Sequence, residues 1–286
     1  MRIQPYTIEE LHFAWCNRVY LRSRTHLRKP LSQLAILSTE ILNELLKPYN
    51  VHVLDFTSDS IEFRLLLSLL PTESVSAAAS KSKGRISKWL GEQNSSPTKS
   101  KSLARGYFAV TTGQSVTDAV EAYLDTQSEH HGYADRVRPP VFVRKFKRTV
   151  ESLNAIQTDH AVTLLRYHIV LATWYRRGVF DETSAEVIAN DWIRIQGDFG
   201  FLLDKVSFVP DHVHIAVSLH PKNSPAEVVV ALMNVAQDKM WNCFESEVIK
   251  ASVDRLWQAS AFVGSFGSLT SNAVSSYMNR WSGLRD

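Results

Sequence analysis

The strongest constraint on the fold of this 286-residue chain is that its two halves repeat one another. Residues 11–129 and 167–283, here called the N-terminal and C-terminal repeats, show the same order of strand and helix patterns. In each copy the glycine that ends the fourth strand lies ten residues before a helical tyrosine, Gly113 before Tyr123 and Gly267 before Tyr277. An ungapped match of this kind is rarely accidental, so the sequence predicts two units of one fold.

Each repeat reads as a strand, a helix, two strands, a second helix, a fourth strand and a final helix. The strands are predicted at 11–17, 51–57, 60–69 and 106–113, and in the second copy at 167–173, 201–208, 212–219 and 260–267. The order βαββαβ closes as a ferredoxin-like sheet with helices on one face. The sequence therefore predicts an α+β fold of two ferredoxin-like βαββαβ units, each followed by a C-terminal helix.

A stretch that matches neither repeat lies between them. It carries Pro139 and Pro140 and a basic run at 144–148. We interpret residues 131–165 as a basic connector that spaces the two repeats. The predicted domains are an N-terminal repeat domain at 1–130, the connector at 131–165 and a C-terminal repeat domain at 166–286.

The composition is typical of a globular protein, with 44% hydrophobic and 21% charged residues. The N-terminus lacks the basic-then-apolar pattern of a signal peptide, and no run approaches the roughly 18 apolar residues of a membrane span. These observations predict a cytoplasmic protein without membrane contact. Cys16 and Cys243 fit neither a metal-binding spacing nor a disulfide framework, so both are predicted to be core thiols.

The modest net charge of +3 conceals an uneven distribution. Residues 1–150 hold 21 Lys and Arg against 14 Asp and Glu, a net charge of +7, and the remainder carries −4. Basic clusters interleaved with aromatic side chains favour nucleic-acid binding. The candidate nucleic-acid contacts are Arg18, Arg22, Arg24, Lys81, Lys83, Arg85, Lys88, Arg176 and Arg177.

Two histidines separated by one valine, His212 and His214, lie in a run that reads as a β-strand. Side chains alternate faces along a strand, so both imidazoles point the same way and can share one ligand. The pair alone is equally typical of a half-exposed strand that faces solvent. Other residues have to decide between these interpretations.

Several features of the C-terminal repeat together resemble a known family. They are the run Tyr167–Arg177, the His-Val-His strand, the run Phe262–Ser265 and a downstream helix with a tyrosine. The combination is similar to the small single-tyrosine transposases of the insertion-sequence 200/605 group and to the REP-associated tyrosine transposases. The resemblance covers the C-terminal repeat from end to end and the N-terminal repeat more weakly.

The resemblance implies a protein that cuts single-stranded DNA through a covalent phosphotyrosine. In that family the two histidines and a glutamine one turn beyond the tyrosine hold a divalent cation, here Mg²⁺ or Mn²⁺. The tyrosine helix of one subunit can complete the site of the other. The implied partner is single-stranded or hairpin DNA, or alternatively RNA. Members of that family are homodimers, so for a chain that holds two copies we predict a monomer that forms an intramolecular pseudo-dimer.

The two repeats keep different parts of this pattern. In the N-terminal repeat we align Ser60 and Glu62 with the two histidines, so that copy has no imidazole pair. Its last helix keeps Tyr123 and Gln127 at i and i+4, on one helical face. The C-terminal repeat keeps the histidines but has Trp281 at the glutamine position, and an indole N–H cannot bind a cation.

The sequence therefore predicts one composite site. His212, His214 and Gln127 would hold the metal, and Tyr123 would be the nucleophile. In the alternative arrangement, Tyr277 acts within its own repeat and Asn279, Asp211 or water replaces the missing ligand.

The predicted activity is metal-dependent nicking and strand transfer through a 5′-phosphotyrosine, by a transposase or a domesticated transposase. One alternative is a catalytically silent, transposase-derived protein that binds hairpin DNA or RNA. Another is a metal-dependent enzyme on a ferredoxin-like scaffold without a nucleic-acid role. The charge of the first half disfavours this last alternative.

Overall fold

The structure is a computed structural model that describes residues 5–93, 102–113 and 140–268. In these ranges eleven strands form two sheets. The strands are β1 (His12–Cys16), β2 (Arg18–Arg24), β3 (His52–Ser58), β4 (Glu62–Ser68), β5 (Tyr107–Thr112), β6 (Phe142–Lys145), β7 (Ala161–Leu164), β8 (Arg166–Thr173), β9 (Phe201–Val209), β10 (His212–Leu219) and β11 (Trp257–Phe266). One sheet has the order β3-β4-β2-β5-β7, and the other has the order β1-β11-β8-β10-β9-β6.

The same ranges contain six α-helices, and polar caps begin most of them. The helices are α1 (Thr39–Leu46), α2 (Val75–Gln93), α3 (Val150–Ala155), α4 (Glu182–Ile195), α5 (Pro225–Cys243) and α6 (Glu245–Ala251). Asp181 caps α4 and Ser224 caps α5, each in a reciprocal capping box that satisfies amides at the helix start. Among the described residues, no helix has the length and apolar character needed to cross a membrane.

The described helices pack on one face of the sheets. Val19 and Leu21 of β2 belong to the main core with helical side chains, whereas Tyr20 packs with Leu66 in a small separate cluster. This alternation follows from the two-residue period of a strand. The predicted α+β architecture of two ferredoxin-like units is confirmed, and the predicted final helices lie outside the described residues.

The strand pairing corrects one part of the predicted repeat alignment. β8 lies between β10 and β11, and β2 lies between β4 and β5, so β2 is the counterpart of β8. Both lead into a short 3₁₀ turn with a residue at positive φ, Leu27 at 54° and Tyr175 at 52°. The prediction that aligned 11–17 with 167–173 was therefore wrong. It matched the apolar run of β1 and passed over the basic β2.

The two repeats exchange strands. β1 immediately precedes β2, yet it pairs in parallel with β11 of the C-terminal repeat. β7 immediately precedes β8 and pairs in parallel with β5 of the N-terminal repeat. One continuous cluster of buried apolar side chains extends through both repeats. The halves thus form an intramolecular pseudo-dimer in which each completes the sheet of the other.

Two hydroxyl groups join the halves with nearly the same geometry. The Ser265 Oγ atom accepts from the Arg18 amide at 2.7 Å and donates to the Thr112 carbonyl at 2.6 Å. In the pseudo-symmetric position, the Thr111 Oγ1 atom accepts from the Arg166 amide at 2.8 Å and donates to the Phe266 carbonyl at 2.6 Å. Each hydroxyl therefore satisfies a backbone amide and a carbonyl where the two sheets meet.

We expect Ser265→Ala and Thr111→Val each to lower the free energy of unfolding by about 1–3 kcal/mol, because each leaves a backbone amide without its acceptor. Chemical denaturation of the full chain measures this. Thr183→Val, at an exposed position of α4, is the matched control and should change the free energy by less than about 0.5 kcal/mol. Unchanged stability in both variants would contradict a structural role for these hydroxyls.

Candidate active site around the histidine pair

The histidine pair lies on the sheet face opposite the described helices. His212 and His214 project from β10 to the same side, with ring centroids 5.0 Å apart. Their exposed fractions are only 9% and 5%. The interpretation that they merely face solvent on a half-exposed strand is therefore wrong.

The Nδ1 atom of each histidine is here called its outer nitrogen, and the residue that contacts it is called its outer partner. For His212 the outer partner is a carboxylate. The His212 Nδ1 atom lies 2.7 Å from an Asp211 oxygen, and the other Asp211 oxygen accepts from Arg176 Nε at 3.0 Å. Burial raises the pKa of Asp211, but the hydrogen bond with His212 and the positive charge of Arg176 outweigh it, so this pKa lies below its ordinary value. Asp211 is thus an ionised partner that can fix the ring orientation of His212.

The outer nitrogen of His214 faces a third histidine. His168 Nε2 on β8 lies 3.0 Å from His214 Nδ1, and the two rings stack with centroids 5.2 Å apart. Phe262 of β11 packs edge-on against His168 at 6.1 Å. Burial lowers the pKa of His168 to about 4, so this imidazole is neutral at physiological pH.

Sequence reasoning did not single out His168 as a site residue. It lies inside the run Tyr167–Arg177 that supported the family resemblance. The signal that could have identified His168 is its position on the strand, which places its side chain on the same sheet face as the histidine pair. Its strand counterpart in the N-terminal repeat is Tyr20 on β2, so both copies could have been compared once the strands were aligned correctly.

The register of the sheets places Glu62, and not Ser60, in the position of His212. In the C-terminal repeat His212 pairs with Ala172 of β8. The counterpart of Ala172 on β2 is Arg24, which pairs with Glu62. Ser60 precedes β4. The predicted assignment of Ser60 and Glu62 was therefore displaced by two residues.

By the same register, Arg64 occupies the position of His214. His214 pairs with Val170 of β8, and the β2 counterpart of Val170 is Arg22, which pairs with Arg64. The N-terminal repeat thus has a carboxylate and a guanidinium in place of the two imidazoles. Neither register places a histidine in these two positions. The prediction that this copy lacks an imidazole pair therefore does not depend on the alignment.

An ion-pair cluster occupies this position in the N-terminal repeat. Arg64 contacts the Glu62 carboxylate directly, and Arg24 Nε lies 3.2 Å from the same carboxylate. Arg64 also lies 3.5 Å from Asp59. Because two guanidinium groups neutralise Glu62, this carboxylate is a poor ligand for an added cation.

The other half of the predicted composite site lies outside the described residues. This applies to Tyr123, Gln127, Tyr277 and Trp281. Within the ranges that the structure describes, no group of three His, Cys, Asp or Glu side chains could hold a metal ion. The described part of the site therefore consists of the imidazole pair and its outer partners.

The predicted nucleic-acid contacts lie on several different elements of the fold. Arg22 and Arg24 lie on the face of β2 that corresponds to the histidine face, with Arg22 5.4 Å above the ring of Phe108. Several of the others make internal contacts. Lys81 binds Glu73, Lys83 binds the Arg105 carbonyl, Lys88 approaches Glu92, Arg85 lies over Tyr49 and Arg177 binds the Ala251 carbonyl.

The match to a family model agrees with the duplicated architecture. The family described as "Transposase IS200 like" matches residues 11–127 and 161–280, which is most of the chain. A crystal structure from Deinococcus radiodurans R1, of a protein provisionally named a transposase, is 22% identical and has a TM-score of 0.36. That match covers 45% of this chain and 96% of the other. A search of curated proteins found no match.

Proposed function

Because this chain belongs to the IS200-like transposase family, we propose that it cuts and rejoins single-stranded DNA through a covalent phosphotyrosine at one composite site. The observation that carries this proposal is the buried His212–His214 pair with its outer partners Asp211 and His168. The N-terminal repeat has replaced this set. In this proposal the C-terminal repeat alone supplies the histidines of the site.

The donor set fits a divalent cation. If each Nδ1–H donates to its outer partner, the Nε2 atom of each ring keeps the lone pair that binds a metal. A carboxylate or another acceptor behind the outer nitrogen is the usual support for a metal-binding histidine. We assign His212 and His214 as two ligands and Gln127 as the third. When bound, Mg²⁺ or Mn²⁺ would polarise a non-bridging oxygen of the phosphate.

In this mechanism Tyr123 is the nucleophile. Its deprotonated phenolic oxygen forms a bond to the phosphorus, and the bond from phosphorus to the 3′ oxygen breaks. The departing 3′ oxygen takes up a proton, so the products are a 5′-phosphotyrosine and a free 3′-OH. Attack by another 3′-OH reverses the step and joins a new strand, which requires no ATP.

A second candidate function is a non-cutting protein that binds hairpin DNA or RNA. The observation that favours it is the Glu62–Arg64 ion pair, which leaves the pseudo-dimer with one imidazole pair instead of two. A transposase that cuts two element ends would ordinarily use two sites. The retention of His212 and His214 in a supported arrangement favours catalysis over this candidate.

Incubation of the full chain with Mn²⁺ and end-labelled single-stranded hairpin DNA tests the proposal. We expect a protein–DNA adduct that survives denaturation and is absent in EDTA. A set of hairpins with varied flanks covers the unknown target sequence. Tight binding of hairpins without any adduct would favour the non-cutting candidate and contradict the proposed chemistry.

We expect His168→Ala to weaken Mn²⁺ binding by about 10–100-fold, the usual effect of removing an outer partner of a metal ligand. His168→Gln offers an oxygen acceptor to His214 Nδ1 and should recover part of the affinity. Electron paramagnetic resonance of free Mn²⁺ measures the binding without any requirement for cleavage.

His160→Ala is the control, because it removes an exposed imidazole from the loop before β7. It should bind Mn²⁺ as the unmodified protein does. Wild-type affinity in His168→Ala would show that His168 does not position His214.

A further inference from the structure

A basic pocket of about 450 Å³ opens beside the histidine pair on the six-stranded sheet. Its lining includes five cations and one carboxylate, Lys145, Lys147, Arg148, Arg166, Lys205 and Asp204. Three of the cations lie inside the predicted connector, Lys145 at the end of β6 and Lys147 and Arg148 just after it. The connector is therefore part of a charged cavity and does more than space the repeats.

The pocket continues the face that carries the histidines. Ala216, one of the lining residues, follows His214 by two residues on β10 and so projects to the same side. Lys205 pairs with Ala216 across the strands, and Arg166 lies two residues before His168 on β8. At about 3.3 Å per residue, the pocket begins about 7 Å from His214 along the strand.

The charge of the pocket favours an anion. Arg148 holds Asp204 through two contacts of 2.7 Å and 2.5 Å, and Ser218 donates to the same carboxylate at 3.0 Å. This arrangement neutralises the one carboxylate among the described lining residues, which carry five cations. Lys205 is only 3% exposed, so part of this charge lies in a region of weak solvent screening.

The equivalent position in the N-terminal repeat has the opposite charge. Lys205 pairs with Ala216 next to an irregularity in the β9–β10 ladder. Asp55 pairs with Leu66 next to the same irregularity in the β3–β4 ladder. The buried cation therefore occurs in the repeat that keeps the histidines, and an aspartate replaces it in the repeat that has lost them.

We propose that this pocket binds a backbone phosphate of the single strand next to the phosphate held at the histidine pair. The inference rests on the proposed function, because it extends the same substrate along the same face. The connector and the C-terminal repeat together supply the phosphate contacts, and Lys205 supplies a buried charge at the end nearest the histidines. The ligand class is the phosphodiester backbone, bound without a metal and without base recognition.

Equilibrium binding of fluorescent single-stranded DNA in EDTA tests the pocket separately from cleavage. For the full chain with Lys145→Ala and Lys147→Ala together, we expect binding about tenfold weaker, and a salt slope of log K lower by about 1.4, that is about 0.7 per lost phosphate contact. Lys205→Met keeps the aliphatic stem of the side chain and should lower the slope by about 0.7. Thermal unfolding of each variant checks that the fold is retained.

The control is Lys47→Ala with Lys250→Ala, which removes two exposed positive charges far from the pocket in sequence. It should leave affinity within about twofold and the salt slope unchanged. Pocket variants that match this control would overturn the proposed phosphate site, even if the unmodified protein forms an adduct with DNA. A lowered slope without any adduct would support the pocket and contradict only the proposed chemistry.

Discussion

Tyr123→Phe is expected to abolish the covalent protein–DNA adduct, while Tyr277→Phe retains it. Phenylalanine keeps the ring and removes the oxygen that would attack phosphorus, so adduct formation should fall by a factor on the order of 10⁴ or more. Denaturing gel electrophoresis of labelled hairpin DNA incubated with Mn²⁺ measures the adduct. The tyrosines follow equivalent glycines, Gly113 and Gly267, so each variant is the matched control for the other.

The expectation depends on what accompanies each tyrosine. Gln127 follows Tyr123 by four residues, a spacing that would place both on one face of the predicted helix. Trp281 has the same spacing from Tyr277 and offers no lone pair to a cation. Loss of the adduct in Tyr277→Phe alone would assign the nucleophile to the C-terminal repeat and contradict the composite site.

The second large effect is expected from His214→Ala. Removal of one of two imidazole ligands should weaken Mn²⁺ binding by at least about 100-fold and reduce adduct formation below detection, because the transition-state charge on the phosphate loses its stabilisation. Isothermal titration with Mn²⁺ and the adduct assay measure the two consequences separately. The substitution also removes the His168 contact, so it should exceed His168→Ala in both assays.

Arg64→Ala is an informative partner variant, since Arg64 occupies the same strand position in the other repeat. We expect it to leave Mn²⁺ affinity within about twofold, because the site that it alters has no imidazole. Circular dichroism checks whether both variants fold. Normal adduct formation in His214→Ala would show that the histidine pair takes no part in the reaction.

The register error shows a limit of pattern reading. Side chains repeat every two residues along a strand, so a displacement of two residues keeps every side chain on its own face. The alternating pattern around Ser60 and Glu62 is therefore compatible with either alignment. The pairing of Arg24 with Glu62 decides it, and such a pairing depends on which backbone groups meet across the sheet.

The importance of His168 was also decided by the tertiary structure. It lies 46 residues from His214, and β8 and β10 become neighbours only when the sheet forms. Two adjacent antiparallel strands place the rings within hydrogen-bond distance. The basic pocket has the same origin, because β6 carries Lys145 to the edge of a sheet whose other strands lie far along the chain.

The sequence by itself determined the duplication, the α+β class and the His212–His214 pair. Each of these features follows from the local periodicity and spacing of residues along a strand or helix. Only the tertiary structure decided that β1 and β7 cross to the opposite repeats, that Glu62 and Arg64 replace the histidines, and that connector cations meet Lys205 beside the site. These arrangements depend on pairings between distant segments. The local pattern limits which face of a strand a residue can occupy. Its neighbours on other strands depend on how the strands pair in the folded sheet.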